Sequence, residues 1–140
     1  MSGPTPGFLV WRLSMKWRVA VDRALGPLGL THAQYSLLAS LYGMSSERPS
    51  QRQLADHTGL EALYVSKLAR TLEAAGLLDR LPDPSDTRAV QLVLTPHGHE
   101  VTGQAVGIVR DLMEQLLAPL PADRRSAFVD DLNALLKESL

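Results

Sequence analysis

Four charged side chains lie within a short stretch of this chain: Arg80, Asp83, Asp86 and Arg88. Two carboxylates three residues apart are candidates for a catalytic acid and base, and two arginines are candidates for binding phosphate. The surrounding loop offers no nucleophile, phosphate cradle or array of metal ligands. We therefore expect no enzymatic activity and no cofactor. The four charged side chains could bind a phosphate-containing partner, or they could simply form a solvated polar turn.

Histidine is the next residue type that could do chemistry, as a metal ligand. His97 and His99 lie two residues apart, and His32 and His57 are the other histidines. The chain has no cysteine and no pair of histidines four residues apart, so a zinc site would need carboxylates recruited across the fold. We favour ordinary structural positions for these side chains and predict no metal site. The sequence leaves open whether His97 and His99 take part in one.

Cations and hydroxyls also occur on a helix that is predicted to begin near Glu61 and end at Gly76. Apolar spacing assigns one side of this helix to the core: Val65, Leu68, Ala69, Leu72 and Ala75. The opposite side is mixed and partly basic: Leu63, Lys67, Arg70 and Ala74. An exposed helix face is often charged, so a solvated surface is the alternative interpretation.

Two capping boxes predict where the preceding helices begin. Thr31 and Ser50 are each followed three residues later by a glutamine, Gln34 and Gln53, which is the spacing of this motif. The second of these helices is short, because Gly59 supplies the backbone freedom that a tight turn between helices needs. A short helix, a glycine turn and a longer helix together predict a helix-turn-helix.

Two segments with strand character follow the longer helix, at residues 77–81 and 90–94. The turn-rich residues 82–87 between them predict a hairpin with a long tip. The fold class is therefore mainly α with a small β-hairpin, arranged as a winged helix-turn-helix. In such a fold the longer helix can enter a major groove about 12 Å wide.

The predicted DNA contacts come from three elements. The start of the short helix offers free backbone N–H groups to a phosphate. Arg88 in the hairpin, which is the wing of this fold, could enter a minor groove. The longer helix supplies apolar groups, hydroxyls and cations for the major groove. The complete predicted contact set is Ser50, Gln51, Arg52, Ala62, Leu63, Tyr64, Ser66, Lys67, Arg70 and Arg88.

At these residues the chain resembles the MarR family of bacterial transcriptional regulators, and the resemblance covers nearly the whole sequence. Residues 80–88, Arg-Leu-Pro-Asp-Pro-Ser-Asp-Thr-Arg, match the family's wing signature of spaced Arg, Asp, Asp and Arg. Four further segments resemble family motifs: Thr31–Leu38, Gln53–Ala55, Leu72–Leu78 and Leu92–Gly98.

The resemblance implies roles for the wing residues. Asp86 would brace the wing by pairing with a basic group, with Arg80 and Asp83 as further bracing residues, and Arg88 would contact DNA. Family members often carry another arginine at the position of Thr87, so this wing lacks one contact. Their recognition helices are also often more polar than residues 61–65, so contact with thymine methyl groups gains weight here.

The resemblance also implies a homodimer in which the first and last helices interlock. Apolar stripes at helical spacing over residues 10–25, 101–116 and 128–140 suit such an interface. We therefore interpret residues 1–140 as a single domain, with residues 30–97 forming the DNA-binding winged helix. Residues 5–27 and 98–140 would form the dimerisation helices. A two-fold dimer predicts a pseudo-palindromic operator with half-sites about one helical turn apart.

Family members commonly bind small aromatic effectors, which implies a cleft between the dimer helices and the winged domain. Candidate lining residues are Trp11, Met15, His32, Tyr35 and Tyr42, and their alternative role is ordinary packing in the core and interface. We expect a regulator, with repression favoured, that an effector could release from DNA. The alternatives are a winged-helix module for protein–protein contact and a small ligand-binding protein without DNA binding.

Composition sets the remaining limits. The net charge of −1 gives no general attraction to DNA, so the argument depends on where the charges lie. No apolar run reaches the ~18 residues that a membrane span needs, and the first residues lack the pattern of a signal peptide. We therefore expect a cytoplasmic protein with no membrane partner.

Overall fold

The computed structural model describes residues 3–44 and 46–137. A 3₁₀ turn over Gly26–Leu28 joins the first two helices. The elements in chain order are α1 (Pro6–Leu25), α2 (His32–Gly43), α3 (Gln51–Thr58), α4 (Ala62–Ala74), β1 (Leu78–Asp83), β2 (Asp86–Leu94), α5 (Pro96–Leu116) and α6 (Ala122–Lys137). The predicted class, mainly α with one antiparallel hairpin, is confirmed.

Both predicted capping boxes are present. The Thr31 hydroxyl accepts a hydrogen bond from the Gln34 N–H at 3.2 Å, and the Gln34 side chain accepts one from the Thr31 N–H at 3.0 Å. Ser50 and Gln53 form the same pair of bonds at 3.1 and 2.8 Å. Gly59 ends α3 with a φ of 77°, in the left-handed region that glycine adopts at least cost.

The core lies where α2, α3, α4 and the hairpin meet the end of α1 and the start of α5. Of the five positions predicted to face it from α4, four are buried and Ala75 is exposed. The prediction for Ala75 is wrong because the helix ends at Ala74 and the chain then turns at Gly76, whose φ is 78°. The largest fully buried apolar side chains are Val21, Leu25, Leu37, Leu38, Leu54, Val65, Leu72, Leu78 and Leu92.

The hairpin is longer, and its tip shorter, than the sequence predicts. Strand pairing runs from Leu78 opposite Leu94 to Pro82 opposite Val90, and a register shift then brings Asp83 opposite Asp86. Only residues 84 and 85 lie between the strands. The long tip was a wrong prediction, because the Asp83 carboxylate accepts hydrogen bonds at 2.8 Å from the N–H and the hydroxyl of Ser85 and so closes the turn.

A glycine allows α5 to pack directly against the chain segment that enters the hairpin. A Cβ atom on Gly98 would overlap the carbonyl oxygen of Leu77. The Thr95 hydroxyl accepts a hydrogen bond from the Gly98 N–H at 2.9 Å and donates one to the Gly76 carbonyl at 2.6 Å. The start of α5 is therefore fixed to the end of the helix-turn-helix at two points.

The two terminal helices contribute much less to the core. In α1 the buried residues are Val21 and Leu25, both in its second half. Within the described part of α6 no residue is buried, and Leu140, which was predicted to continue its stripe, lies outside the described residues. Across residues 3–44 and 46–137, no helix combines the length and apolarity needed to cross a bilayer.

Candidate nucleic-acid interface

The outer side of α4 presents one apolar and two basic side chains. Leu63, Lys67 and Arg70 are exposed and lie about 140–180° around the helix from the buried residues, as a periodicity of 3.6 residues per turn requires. Tyr64 is also exposed, and Ser66 is half-buried. Residues 62–72 carry no acidic side chain, so the charged groups on this stretch of α4, Lys67 and Arg70, are both basic despite the net charge of the chain.

A concave surface lies beside α4, between the start of α3 and the wing. It has a volume of about 710 Å³. Five of the ten predicted DNA-contacting residues line it, namely Ser50, Gln51, Arg52, Ala62 and Arg88. The chain therefore brings residues from α3, α4 and β2 together on one side of the molecule.

Backbone pairing fixes the start of α3 relative to the wing. The Leu92 N–H in β2 donates a hydrogen bond to the Pro49 carbonyl at 3.0 Å, and Ser50 forms a bridge with Gln91. The Ser50 hydroxyl oxygen already accepts the capping bond, but its proton can still be donated to a phosphate. The N-terminal end of α3 is therefore positioned to meet an anion.

Among the charged side chains that form ion pairs in the wing, that of Arg88 is the most exposed, with 92% of its surface accessible. Its Nε lies 3.7 Å from Oδ1 of Asp86, and that same oxygen accepts a hydrogen bond from the Arg88 N–H at 3.0 Å. Asp86 thus lies against the residue predicted to contact DNA. At this exposure the ion pair is weak, and Arg88 can turn away at little cost.

The three predicted bracing residues do not form one cluster. Asp83 bonds to Ser85 within the tip, and the N–H and hydroxyl of Ser85 lower the pKa of the Asp83 carboxyl. Arg80 instead contacts Glu73 on α4, a residue that the sequence analysis missed. Glu73 accepts a hydrogen bond from the Arg80 N–H at 3.2 Å, and its Oε1 lies 3.9 Å from Arg80 Nη1.

The Glu73–Arg80 contact joins the last turn of α4 to the first strand of the wing. Glu73 belongs to α4 and Arg80 to β1, and the chain turns at Gly76 between them, so no periodicity within one element could have revealed the contact. The nearest indication in the sequence was that the apolar pattern of α4 stops just before β1, which places the end of the helix close to the start of the strand. The contact connects the two elements that are predicted to enter DNA grooves.

The five residues proposed for an effector cleft do not surround one cavity. His32 lines an apolar groove of about 460 Å³ between α1 and α6, together with Leu13, Trp17 and Phe128. Burial lowers the pKa of His32, Asp22 acts in the opposite direction, and Arg18 lowers it further. The other four residues are not part of the lining of this groove.

Those four residues lie elsewhere on the helices. Trp11 and Met15 are exposed on α1. The Tyr42 ring packs against the His99 ring at a tilt of 35°, with 4.7 Å between centroids, and burial raises the pKa of Tyr35. Among the described residues, no group of three or more His, Asp or Glu side chains is arranged to hold a metal ion.

Comparisons with known proteins agree with this geometry. A sequence model described as the MarR family matches residues 28–89. The chain is 36% identical to the uncharacterized HTH-type transcriptional regulator YdcH of Bacillus subtilis, over 97% of this chain and 94% of that protein. It is 32% identical to the HTH-type transcriptional repressor Rv2887 of Mycobacterium tuberculosis, over 87% of this chain and 86% of that protein.

Solved structures show the same architecture. A mutant MarR from Escherichia coli complexed with operator DNA has a TM-score of 0.84 and 26% identity, and the match covers 93% of this chain and 92% of that one. CouR from Rhodococcus jostii, bound to p-coumaroyl-CoA, has a TM-score of 0.86 and 26% identity, with coverage of 97% and 94%. The chain therefore belongs to the MarR family of winged helix-turn-helix proteins and is a DNA-binding transcriptional regulator.

Proposed function

We propose that this chain acts as a homodimeric repressor on a pseudo-palindromic operator, with α4 in the major groove and Arg88 of the wing in the adjacent minor groove. The observation that carries the proposal is the convergence of the predicted contacts on one surface. Ser50, Gln51, Arg52, Ala62 and Arg88 line a single concave region, and the exposed residues of α4 continue it. We propose repression, and not activation, because the similar protein Rv2887 is named a transcriptional repressor.

Each element of this surface has a distinct task. The start of α3 would bind phosphate through backbone N–H groups and Arg52, which sets the register without reading sequence. Ser66, Lys67 and Arg70 would face base edges or phosphates from α4, and Leu63 with Tyr64 would add apolar contact. Arg88 would bind the minor groove, where narrow A·T stretches concentrate negative potential.

The terminal helices support the dimer. Exposed large apolar side chains cover α1 and α6, and the groove between these helices is lined almost wholly by apolar atoms. An exposed apolar surface of this extent is typical of a protein interface. We assign residues 5–27 and 98–140 to dimerisation and residues 30–97 to DNA binding, so that each protomer reads one half-site.

We further propose that a small aromatic effector releases the operator by changing the spacing of the two copies of α4. A coupling free energy of only ~1–3 kcal/mol is enough for such regulation. The similar CouR structure holds p-coumaroyl-CoA, which supports an aromatic ligand class. His32 is the predicted cleft residue that already lines a groove. Trp11, Met15, Tyr35 and Tyr42 would have to join it through the partner subunit or through motion.

The test is a titration of the protein onto DNA fragments from upstream of its own coding sequence and onto a pool of random-sequence duplexes, at several salt concentrations. We expect saturable binding with two chains per site. The logarithm of the binding constant should fall linearly with log[salt], with a slope of about −0.9 per phosphate neutralised. Arg124→Ala removes a cation outside the proposed DNA-binding region and should retain wild-type affinity once sedimentation has shown that the variant keeps the wild-type oligomeric state. If no duplex is bound in a saturable, salt-dependent way, a winged helix that binds protein instead of DNA would be favoured.

A further inference from the structure

Leu63 is exposed in a part of the molecule where exposed apolar residues are otherwise rare. Among the described residues, the exposed large hydrophobic side chains lie on α1 and α6, with two exceptions, Leu63 and Tyr64 at the start of α4. Leu63 is 80% exposed, compared with 7% or less for the four core-facing residues of the same helix. A dimer interface formed by the terminal helices explains the first group but leaves Leu63 without a role.

The position of Leu63 is also specific. It lies on the face of α4 opposite the core, one helical turn before Lys67 and two turns before Arg70. Leu63 and Tyr64 are followed by Lys67 and Arg70, and two apolar side chains beside cations make a poor protein-binding patch, because such patches are broad and contiguous. Apolar side chains next to Lys67 and Arg70 on one helix face instead suit a polyanion that presents an apolar group at a fixed position.

The major groove of duplex DNA offers such a group. Its base edges consist of hydrogen-bond donors and acceptors, except for the C5 methyl group of thymine. A leucine side chain cannot donate or accept a hydrogen bond, so pressed against a cytosine or adenine amino group it would leave that group desolvated and unpaired. Against a thymine methyl it loses nothing and buries apolar surface.

We infer that Leu63 is a specificity-determining residue that reads the methyl group of a thymine in each half-site. This inference rests on the proposed binding of α4 in the major groove and names the chemical group that the helix recognises there. It separates two kinds of contact on one surface. Lys67, Arg70 and Arg88 supply affinity for the sugar–phosphate backbone and the grooves, whereas Leu63 distinguishes thymine from the other bases.

Replacing thymine by deoxyuridine tests this inference directly, because it removes only the methyl group and preserves base pairing. A duplex would first be selected from a random-sequence library with the wild-type protein and then synthesised with either thymine or uracil. Burial of one methyl group corresponds to about a fourfold change in affinity, so a dimer with one contact per half-site should bind the uracil duplex about sixteenfold more weakly.

Variants assign the effect to Leu63. Leu63→Ala should reduce the thymine preference to about twofold or less, and Leu63→Met, which keeps an apolar side chain of similar length, should retain most of it. Arg88→Ala is the control, because the methyl group lies in the major groove and the wing is assigned to the minor groove. This variant should weaken binding to both duplexes and leave their ratio unchanged. Circular dichroism melting curves would confirm that each variant is folded.

The possible failures are distinguishable. If no duplex can be selected, the proposed DNA binding fails, and the role of Leu63 fails with it. If a duplex is selected but the wild-type protein binds its uracil form equally well, DNA binding stands and the methyl readout is overturned. If the preference persists in Leu63→Ala, a different residue reads the methyl group and the assignment to Leu63 is wrong.

Discussion

The winged-helix region and the terminal helices are stabilised in different ways. Residues from α2 to β2 bury large leucines and satisfy the ends of α2 and α3 with capping boxes. By contrast, α1 buries two residues near its end, and the described part of α6 buries none. The winged-helix region thus supplies most of the core, which the end of α1 and the start of α5 complete, whereas α1 and α6 carry apolar surface that a single chain leaves uncovered. This difference agrees with a stable DNA-reading unit attached to an interface.

Two leucine truncations should separate the regions most strongly. Leu72 is 2% exposed in α4, and Leu72→Ala should lower the free energy of unfolding by about 2–5 kcal/mol through lost burial and the remaining cavity. The matched change Leu135→Ala removes a side chain that is 70% exposed on α6. We expect it to alter the concentration dependence of the melting temperature more than the unfolding free energy of the protomer. Equal costs at both positions in chemical denaturation would contradict the comparison.

Two glycines on α5 test how firmly this helix is fixed to the winged helix. Gly98→Ala places a Cβ against the Leu77 carbonyl, where backbone must move, and should cost about 1–3 kcal/mol. Gly107, farther along the same helix, has no described heavy atom within 4 Å of an added Cβ apart from its chain neighbours and the helix's own backbone. Gly107→Ala should therefore be neutral or stabilise by up to about 1 kcal/mol. Thermal unfolding of both variants checks the difference, and a neutral Gly98→Ala would contradict the close approach.

The contact between Glu73 and Arg80 tests whether α4 and the wing act as one body. Glu73→Gln removes the charge but retains an acceptor for the Arg80 N–H, so we expect a stability loss of less than about 1 kcal/mol for this partly exposed pair. Because the wing would be less firmly oriented, the free energy of DNA binding should be reduced by more than the free energy of unfolding. Glu100→Gln, at an exposed position on α5, is the control. An unchanged DNA affinity in Glu73→Gln would show that the contact does not position the wing.

The smallest expected effect concerns pH. The pKa of His32 is lowered in the folded chain, so the unfolded chain binds the proton more readily. The contribution of His32 to stability is fully present above its unfolded pKa of about 6.5 and is lost as pH falls toward the lower folded value. His32→Gln should therefore flatten the stability profile relative to wild type as pH falls below about 6.5. A profile with the same slope in both proteins would argue against burial at this position.

Local patterns explain why the sequence predicted much of this fold. The capping boxes at Thr31 and Ser50 and the turn at Gly59 involve neighbours in the chain, so their spacing alone is informative. The wing was predicted only in outline. Its short tip depends on how Asp83 folds back on Ser85, which composition does not reveal.

The site was predictable to a similar degree. The exposure of Leu63, Lys67 and Arg70 on α4 follows from helical periodicity, and these side chains are exposed in the structure. The contact of Glu73 with Arg80 arises only when two elements pack together. The grouping of Trp11, Met15, Tyr35 and Tyr42 with His32 had the same weakness, because aromatic residue types say nothing about which helix faces meet.

The central claim is that α4 and the wing form one DNA-binding surface, and the salt dependence of binding tests it most directly. The measurement is the slope of log K against log[salt] on the selected duplex for wild type and Arg88→Ala. We predict weaker binding by the variant and a slope that is smaller by about 0.9 per protomer, because each subunit would neutralise one phosphate fewer. An unchanged affinity and slope in Arg88→Ala would contradict the account, since the wing would then lie away from DNA.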